Sequence, residues 1–167
     1  NSGKKKQPPM LKEITKVSTF TKDNTPSYTF NSSKAGTITY GGNCSSSTTN
    51  ATADNITITF DTLSDGTYSN CTIKVTSSLG FSGNLLKVSP FTVDTIAPIL
   101  SLSKAVWSPT QNTTPSYTFS STDAGSITYG GNCSSSQTNS ASGKNSIVLK
   151  QKDGSNFLDG NTYSTCT

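Results

Sequence analysis

The chain contains no histidine and no arginine, and its only glutamate is Glu13. Without histidine, the Ser–His and Cys–His nucleophile pairs are excluded and the commonest metal ligand is missing. Without arginine, all 13 basic residues are lysine, and the planar fork that reads phosphates and base edges is absent. Lys4, Lys5 and Lys6 are consecutive, so most of the formal net charge of +4 sits in one short run. The remainder has no basic stripe, which argues against a nucleic-acid partner. Apolar residues make up only 30% of the chain. No run of them approaches the roughly 20 residues that a membrane-spanning helix needs. Strong helix formers are also scarce. Ser, Thr, Asn and Gly dominate, a composition suited to short strands joined by tight turns.

What the chain does have is one phrase written twice. Residues 25–47 read TPSYTFNSSKAGTITYGGNCSSS, and residues 114–136 read TPSYTFSSTDAGSITYGGNCSSS, a gapless match at a shift of 89 residues. That period is too long for a helical solenoid unit and suits a complete β-sandwich module. The 167 residues therefore divide into a basic leader expected to be flexible (1–8), a first module (9–95) and a second module (96–167). The joint, Asp94-Thr95-Ile96-Ala97-Pro98, is short and stiffened by proline.

Within the first module, Tyr28 and Phe30 alternate with polar residues, and so do Ile38 with Tyr40 and Ile56 with Ile58 and Phe60. This is the period-2 pattern of half-buried strands. Leu11, Ile14 and Val17 suggest a first strand of imperfect alternation, and Cys71, Ile73 and Val75 a later one. Pro90 interrupts a last strand running from Leu85 to Val93, predicting a bulge or an edge position. About seven strands result, the count of an immunoglobulin-like sandwich.

Cys44 and Cys133 occupy one repeat position, and Cys71 and Cys166 occupy another, within TYSNCT and TYSTCT. One early and one late cysteine per module predicts the bridges Cys44–Cys71 and Cys133–Cys166. Zinc would instead require close pairs such as CxxC, and none occurs. Two disulfides place the chain in an oxidising, extracytoplasmic setting. The cysteine spacing is 27 in the first copy and 33 in the second. The extra residues fall near Lys150–Phe157. By comparison with the first copy, the second is expected to lack its late strands. Either the chain is an excerpt of a longer one, or a strand from a neighbouring chain completes the module.

TPSYTF, AG(T/S)ITYGGNCSSS, DGTYSNCTIKVT and FTVDTIAP together resemble the bacterial immunoglobulin-like repeats of large secreted and surface proteins. The resemblance covers nearly everything from Pro9 onwards. It implies an all-β fold of tandem sandwiches, each with one internal disulfide, the second incomplete at its C-terminal side. It also implies a structural role, in which neighbouring modules form a stalk that carries an adhesive tip away from the cell. Tyr68 and Tyr163 resemble the tyrosine of the sandwich corner. Tyr68 lies three residues before Cys71, whereas antibody domains place it two before. The bridge is then expected to pin a strand end to a loop.

No catalytic set emerges, and neither an enzymatic activity nor a cofactor is expected. All six tyrosines and all four cysteines are shared between the copies, as a fold requires and a catalytic site does not. Asp65 and Asp159, each followed by glycine, read as turn organisers or as calcium ligands. Asp94 in the joint is a second calcium candidate. No lysine is shared between the copies, which argues against a Lys–Asn amide cross-link. Trp107 and Phe157 are unique to the second module. Either could contact a surface glycan or protein, or simply pack at a module edge or anchor a loop.

Overall fold

The structure, a computed structural model, describes residues 7–167. Lys4, Lys5 and Lys6 of the expected leader lie outside the described residues. Pro9 is already buried, and the Met10 amide donates to the Ser33 hydroxyl at 2.8 Å, so both belong to the packed part of the first unit.

The protein is all-β, with no helix among the described residues. It forms two compact units that divide between Ile96 and Ala97. In unit 1 the strands are β1 (Leu11–Thr15), β2 (Phe20–Thr21), β3 (Ser27–Ser32), β4 (Gly36–Gly41) and β5 (Asn50–Ala51). They continue with β6 (Asn55–Thr59), β7 (Gly66–Tyr68), β8 (Thr72–Thr76), β9 (Leu86–Lys87) and β10 (Phe91–Val93). Seven of these are three residues or longer, and three are two-residue pieces. One sheet has the order β1-β3-β6 and another β5-β4-β8-β9, both antiparallel. In a third, β10 runs parallel to β2 and antiparallel to β7.

The strand alternation builds one core. Tyr28 and Phe30 from β3, Ile56 and Ile58 from β6, Ile73 and Val75 from β8, and Phe91 and Val93 from β10 all join a single buried cluster. Burying a side chain of this size stabilises by about 1.5–3 kcal/mol. The rings of Tyr28, Phe60, Phe91 and Tyr68 run through it in successive contacts of 5.4–6.1 Å between centroids.

The first strand departs from the sequence reading. β1 pairs with β3 through Leu11↔Ser32, Lys12↔Asn31, Glu13↔Phe30 and Thr15↔Thr29, so Ile14 is the extra residue of a bulge. Ile14 is exposed, and Glu13, opposite the buried Phe30, faces inward in its place. The last stretch also splits. Pro90 cannot donate to a ladder, and it separates β9 from β10, which pair in different sheets.

Unit 2 contains β11 (Leu100–Lys104), β12 (Ser116–Ser121), β13 (Gly125–Ser126), β14 (Cys133–Ser134), β15 (Asn139–Ser140), β16 (Gly143–Val148) and β17 (Lys150–Gln151). β11-β12-β16 form an antiparallel sheet, and β13-β15 and β14-β17 are two-stranded ribbons. The repeated stretches pair alike. Leu100↔Ser121 repeats Leu11↔Ser32, Tyr117↔Ile147 repeats Tyr28↔Ile58, and the bulge recurs between Leu102 and Lys104. Side-chain bonds repeat as well. Tyr40 donates to the Thr48 carbonyl and Tyr129 to the Gln137 carbonyl, both at 2.6 Å.

Candidate functional site

The four cysteines pair within their own units. Cys44–Cys71 has a Cα–Cα distance of 5.3 Å and Cys133–Cys166 one of 5.0 Å, and no described cysteine is free. Cys71 immediately precedes β8. Cys44 lies in the loop leaving β4, whose Ser45 carbonyl accepts from the Asp61 amide at 2.9 Å. The bridge thus ties the start of one strand to the loop after its neighbour. Tyr68 donates to the Ser64 carbonyl at 2.7 Å, four residues upstream, as a sandwich-corner tyrosine does.

Glu13 forms a latch that sequence reasoning missed. Its carboxylate accepts the Tyr28 hydroxyl at 2.7 Å, the Ser89 amide at 2.9 Å and the Ser89 hydroxyl at 2.6 Å. Partial burial alone would push this carboxyl up. The donors from Ser89 and Tyr28, with Lys16 nearby, outweigh burial and hold it below the usual carboxylate range. Burial, with Glu13 accepting its proton, pushes the Tyr28 phenol far above its ordinary value. The sequence did carry a signal. Glu13 is the only glutamate, it shares Leu11's face by period 2, and its counterpart in the second copy is Leu102.

The acidic candidates serve the backbone. The Asp65 carboxylate accepts the Thr95 amide at 3.2 Å and the Thr95 hydroxyl at 2.9 Å, and Asp94 accepts the Ile96 amide at 3.0 Å. Asp159 lies in an exposed turn. Among the described residues, no three His, Cys, Asp or Glu side chains converge as metal ligands.

The two aromatic candidates separate. Trp107 is 84% exposed in the loop between β11 and β12. Phe157 is only 9% exposed and packs edge-on against Tyr163 at 4.4 Å. It is an internal anchor and presents no ring to a ligand. The Phe157 amide donates to the Thr113 carbonyl just as the Leu63 amide donates to the Asn24 carbonyl. Phe157 therefore stands where Leu63 does in unit 1. The extra residues form a tight loop before it, closed by the Gln151 amide donating to the Ser155 carbonyl at 2.9 Å. In that loop the Asp153 carboxylate accepts the Ser155 hydroxyl and amide, which holds its carboxyl below the usual range.

Unit 2 also holds an apolar groove of about 310 Å³. Leu100, Leu102, Tyr117, Phe119, Ile127 and Ile147 line it, beside the Cys133–Cys166 bridge. No charged side chain lines this groove. Leu11 is 7% exposed, whereas its counterpart Leu100 is 64% exposed, and Leu102 is 60% exposed. In unit 1 the same face is covered by Ile73, Val75, Leu86, Val88, Phe91 and Val93, all buried. Gly130 and Thr167 exchange hydrogen bonds at 2.7 and 3.2 Å, matching the pairing Gly41↔Thr72. Along Ile127–Tyr129, no strand among the described residues pairs on the side that β8 covers in unit 1.

Fold and sites together define an all-β protein of two units, each holding one disulfide. Neither a family model, nor a curated protein, nor a solved structure matches the chain.

Proposed function

We propose that the chain is a pair of tandem immunoglobulin-like modules from the stalk of a bacterial cell-surface or secreted fibre. It works as a spacer and is not an enzyme. One observation carries the reading: the two matched stretches pair in the same register, each in a unit closed by its own disulfide. A part repeated with its own cross-link suits load-bearing and reach. The bridges support an extracellular location, because such bonds persist in oxidising compartments. No described helix is long and apolar enough to cross a membrane.

Single-molecule stretching tests the role. The chain should unfold in discrete force steps, one per unit. The stretch from Cys44 to Cys71, a sequence separation of 27, stays closed while the bridge holds. Reduction should therefore lengthen unit 1's step by about 9 nm, at roughly 3.4 Å per residue. Extension without a force peak would sink the reading.

A second reading rests on the exposure of Trp107. A solvent-facing indole suits stacking on a sugar ring or a partner side chain at a host or prey surface. Glycan-array binding that disappears in Trp107→Ala would favour it over the spacer.

A further inference from the structure

We propose that a polar pocket in unit 2, between the inserted loop and residues 161–163, is a saccharide subsite that takes one neutral pyranose ring of a glycan. The pocket holds about 410 Å³, within the usual range of small-molecule sites. Such sites are mostly lined by apolar groups, with a few polar ones to set orientation. No aliphatic side chain lines this one. Its ligand must therefore offer hydroxyls around most of its rim.

The walls are held before any ligand arrives. The Gly154 amide donates to the Gln151 carbonyl at 2.8 Å, closing the inserted loop. The Gln151 side-chain amide donates to the Ser155 hydroxyl at 3.1 Å and to the Asn156 carbonyl at 2.7 Å. The Lys152 amide donates to the Asn132 carbonyl at 3.1 Å, which ties the loop to the segment entering β14. Tyr163 is fixed by the edge-on contact with Phe157, and its hydroxyl accepts the Leu158 amide at 3.2 Å. A site ordered in advance loses less freedom on binding.

Within this frame several polar groups are left for a ligand. The Asp153 carboxylate accepts the Ser155 amide and hydroxyl through Oδ1 alone, so Oδ2 has no partner among the described residues. The side chains of Asn132, Lys152, Asn161 and Thr162 likewise make no hydrogen bond among the described residues. Neighbouring sugar hydroxyls each donate and accept. A carboxylate accepts, an ammonium donates, and amides and hydroxyls do both. The Tyr163 ring supplies an apolar face for the C–H side of a pyranose. Lys152 and Asp153 carry opposite charges, so the pocket has no net charge to favour an ion. Calcium wants several carboxylates, and this lining has one.

The pocket belongs to unit 2 alone in its chemistry. Its loop residues are inserted relative to unit 1, and Gly66 stands there where unit 2 has Asn161. Its accessibility is shared with the other copy. Asn43, Gly66 and Thr67, the counterparts of Asn132, Asn161 and Thr162, are exposed in unit 1 although β10 pairs along β7 there. None of the lining residues belongs to the Trp107 loop, so this site stands apart from the second reading above.

The test titrates the isotope-labelled full chain with the methyl glycosides of mannose, glucose, galactose and N-acetylglucosamine, followed by two-dimensional NMR. At least one glycoside should give saturable shifts at the pocket, largest at the side-chain amides of Asn132 and Asn161. Asp153→Asn keeps an acceptor for Ser155 and should weaken binding about tenfold, as expected for one charge-assisted bond. Asn161→Ala, at an exposed position that leaves the fold intact, should weaken it about fivefold. Trp107→Ala should bind as the wild type does. No saturable shift at the pocket with any of the four glycosides would overturn the proposal. So would wild-type affinity in both pocket variants, or shifts centred on Trp107. Pocket shifts with calcium chloride or glycine, and none with the glycosides, would overturn the ligand class.

Discussion

Removing the Glu13 carboxylate should loosen unit 1 by an amount the structure allows one to work out. Glu13→Ala removes three hydrogen bonds to a carboxylate, from the Tyr28 hydroxyl and from the Ser89 amide and hydroxyl. A fully buried bond to a charged group contributes about 1.5–3 kcal/mol, and this site is only partly buried. Discounted to about 1 kcal/mol each, the three bonds give a loss of about 3 kcal/mol. That is a large share of the 5–15 kcal/mol typical of a domain. The Ile73 amide lies within unit 1 and reports on that unit alone. Its exchange through opening of the core should accelerate roughly a hundredfold, since 1.4 kcal/mol is about a factor of ten.

The pH dependence follows from the direction of the shift. The carboxyl is held below its ordinary value of 4.5, so the folded state resists protonating it. The stabilisation is fully present above that value and is lost as pH falls through the folded one. The advantage of the wild type over Glu13→Gln should be flat near neutrality and shrink on acidification below about pH 4.5. Exchange that speeds up less than fivefold in Glu13→Ala would refute the latch. So would an advantage that grows on acidification.

Two further predictions concern local geometry. Gly42 has φ of +73°, and a Cβ there would lie 2.1 Å from the Asn70 carbonyl oxygen. Gly42→Ala should therefore cost about 2 kcal/mol, read from the urea midpoint at unchanged slope. Phe157→Ala should cost about 3 kcal/mol as a core truncation, whereas Trp107→Ala should stay within about 0.5 kcal/mol. Similar losses for both aromatics would contradict their opposite burial.

Much of unit 1 was legible because its strands alternate cleanly. Tyr28 with Phe30, Ile56 with Ile58, and Ile73 with Val75 all face the core as period 2 requires. The cysteine pairing was legible because two positions recur at matched places in two copies. The first strand was not. A bulge takes one extra residue, so counting along Leu11, Ile14 and Val17 assigned Ile14 to the wrong face and hid Glu13. Of the two readings open for Phe157, loop anchor and ligand contact, its burial fits the anchor, but its match to Leu63 was hidden. Counted back from Tyr163, it falls within one residue of the position Leu63 holds before Tyr68, but the inserted loop obscures the match. The groove was not legible, because only the folded backbone brings Leu100 and Leu102 beside Tyr117, Phe119 and Ile147.

Peptide mapping of the unreduced protein by mass spectrometry reaches most directly the claim that each unit is closed by its own bridge. Proteolysis should release two linked pairs, one containing Cys44 with Cys71 and the other Cys133 with Cys166, with no thiol available for alkylation before reduction. A linked pair joining Cys44 or Cys71 to Cys133 or Cys166, or alkylation of any cysteine in the unreduced folded chain, would contradict it.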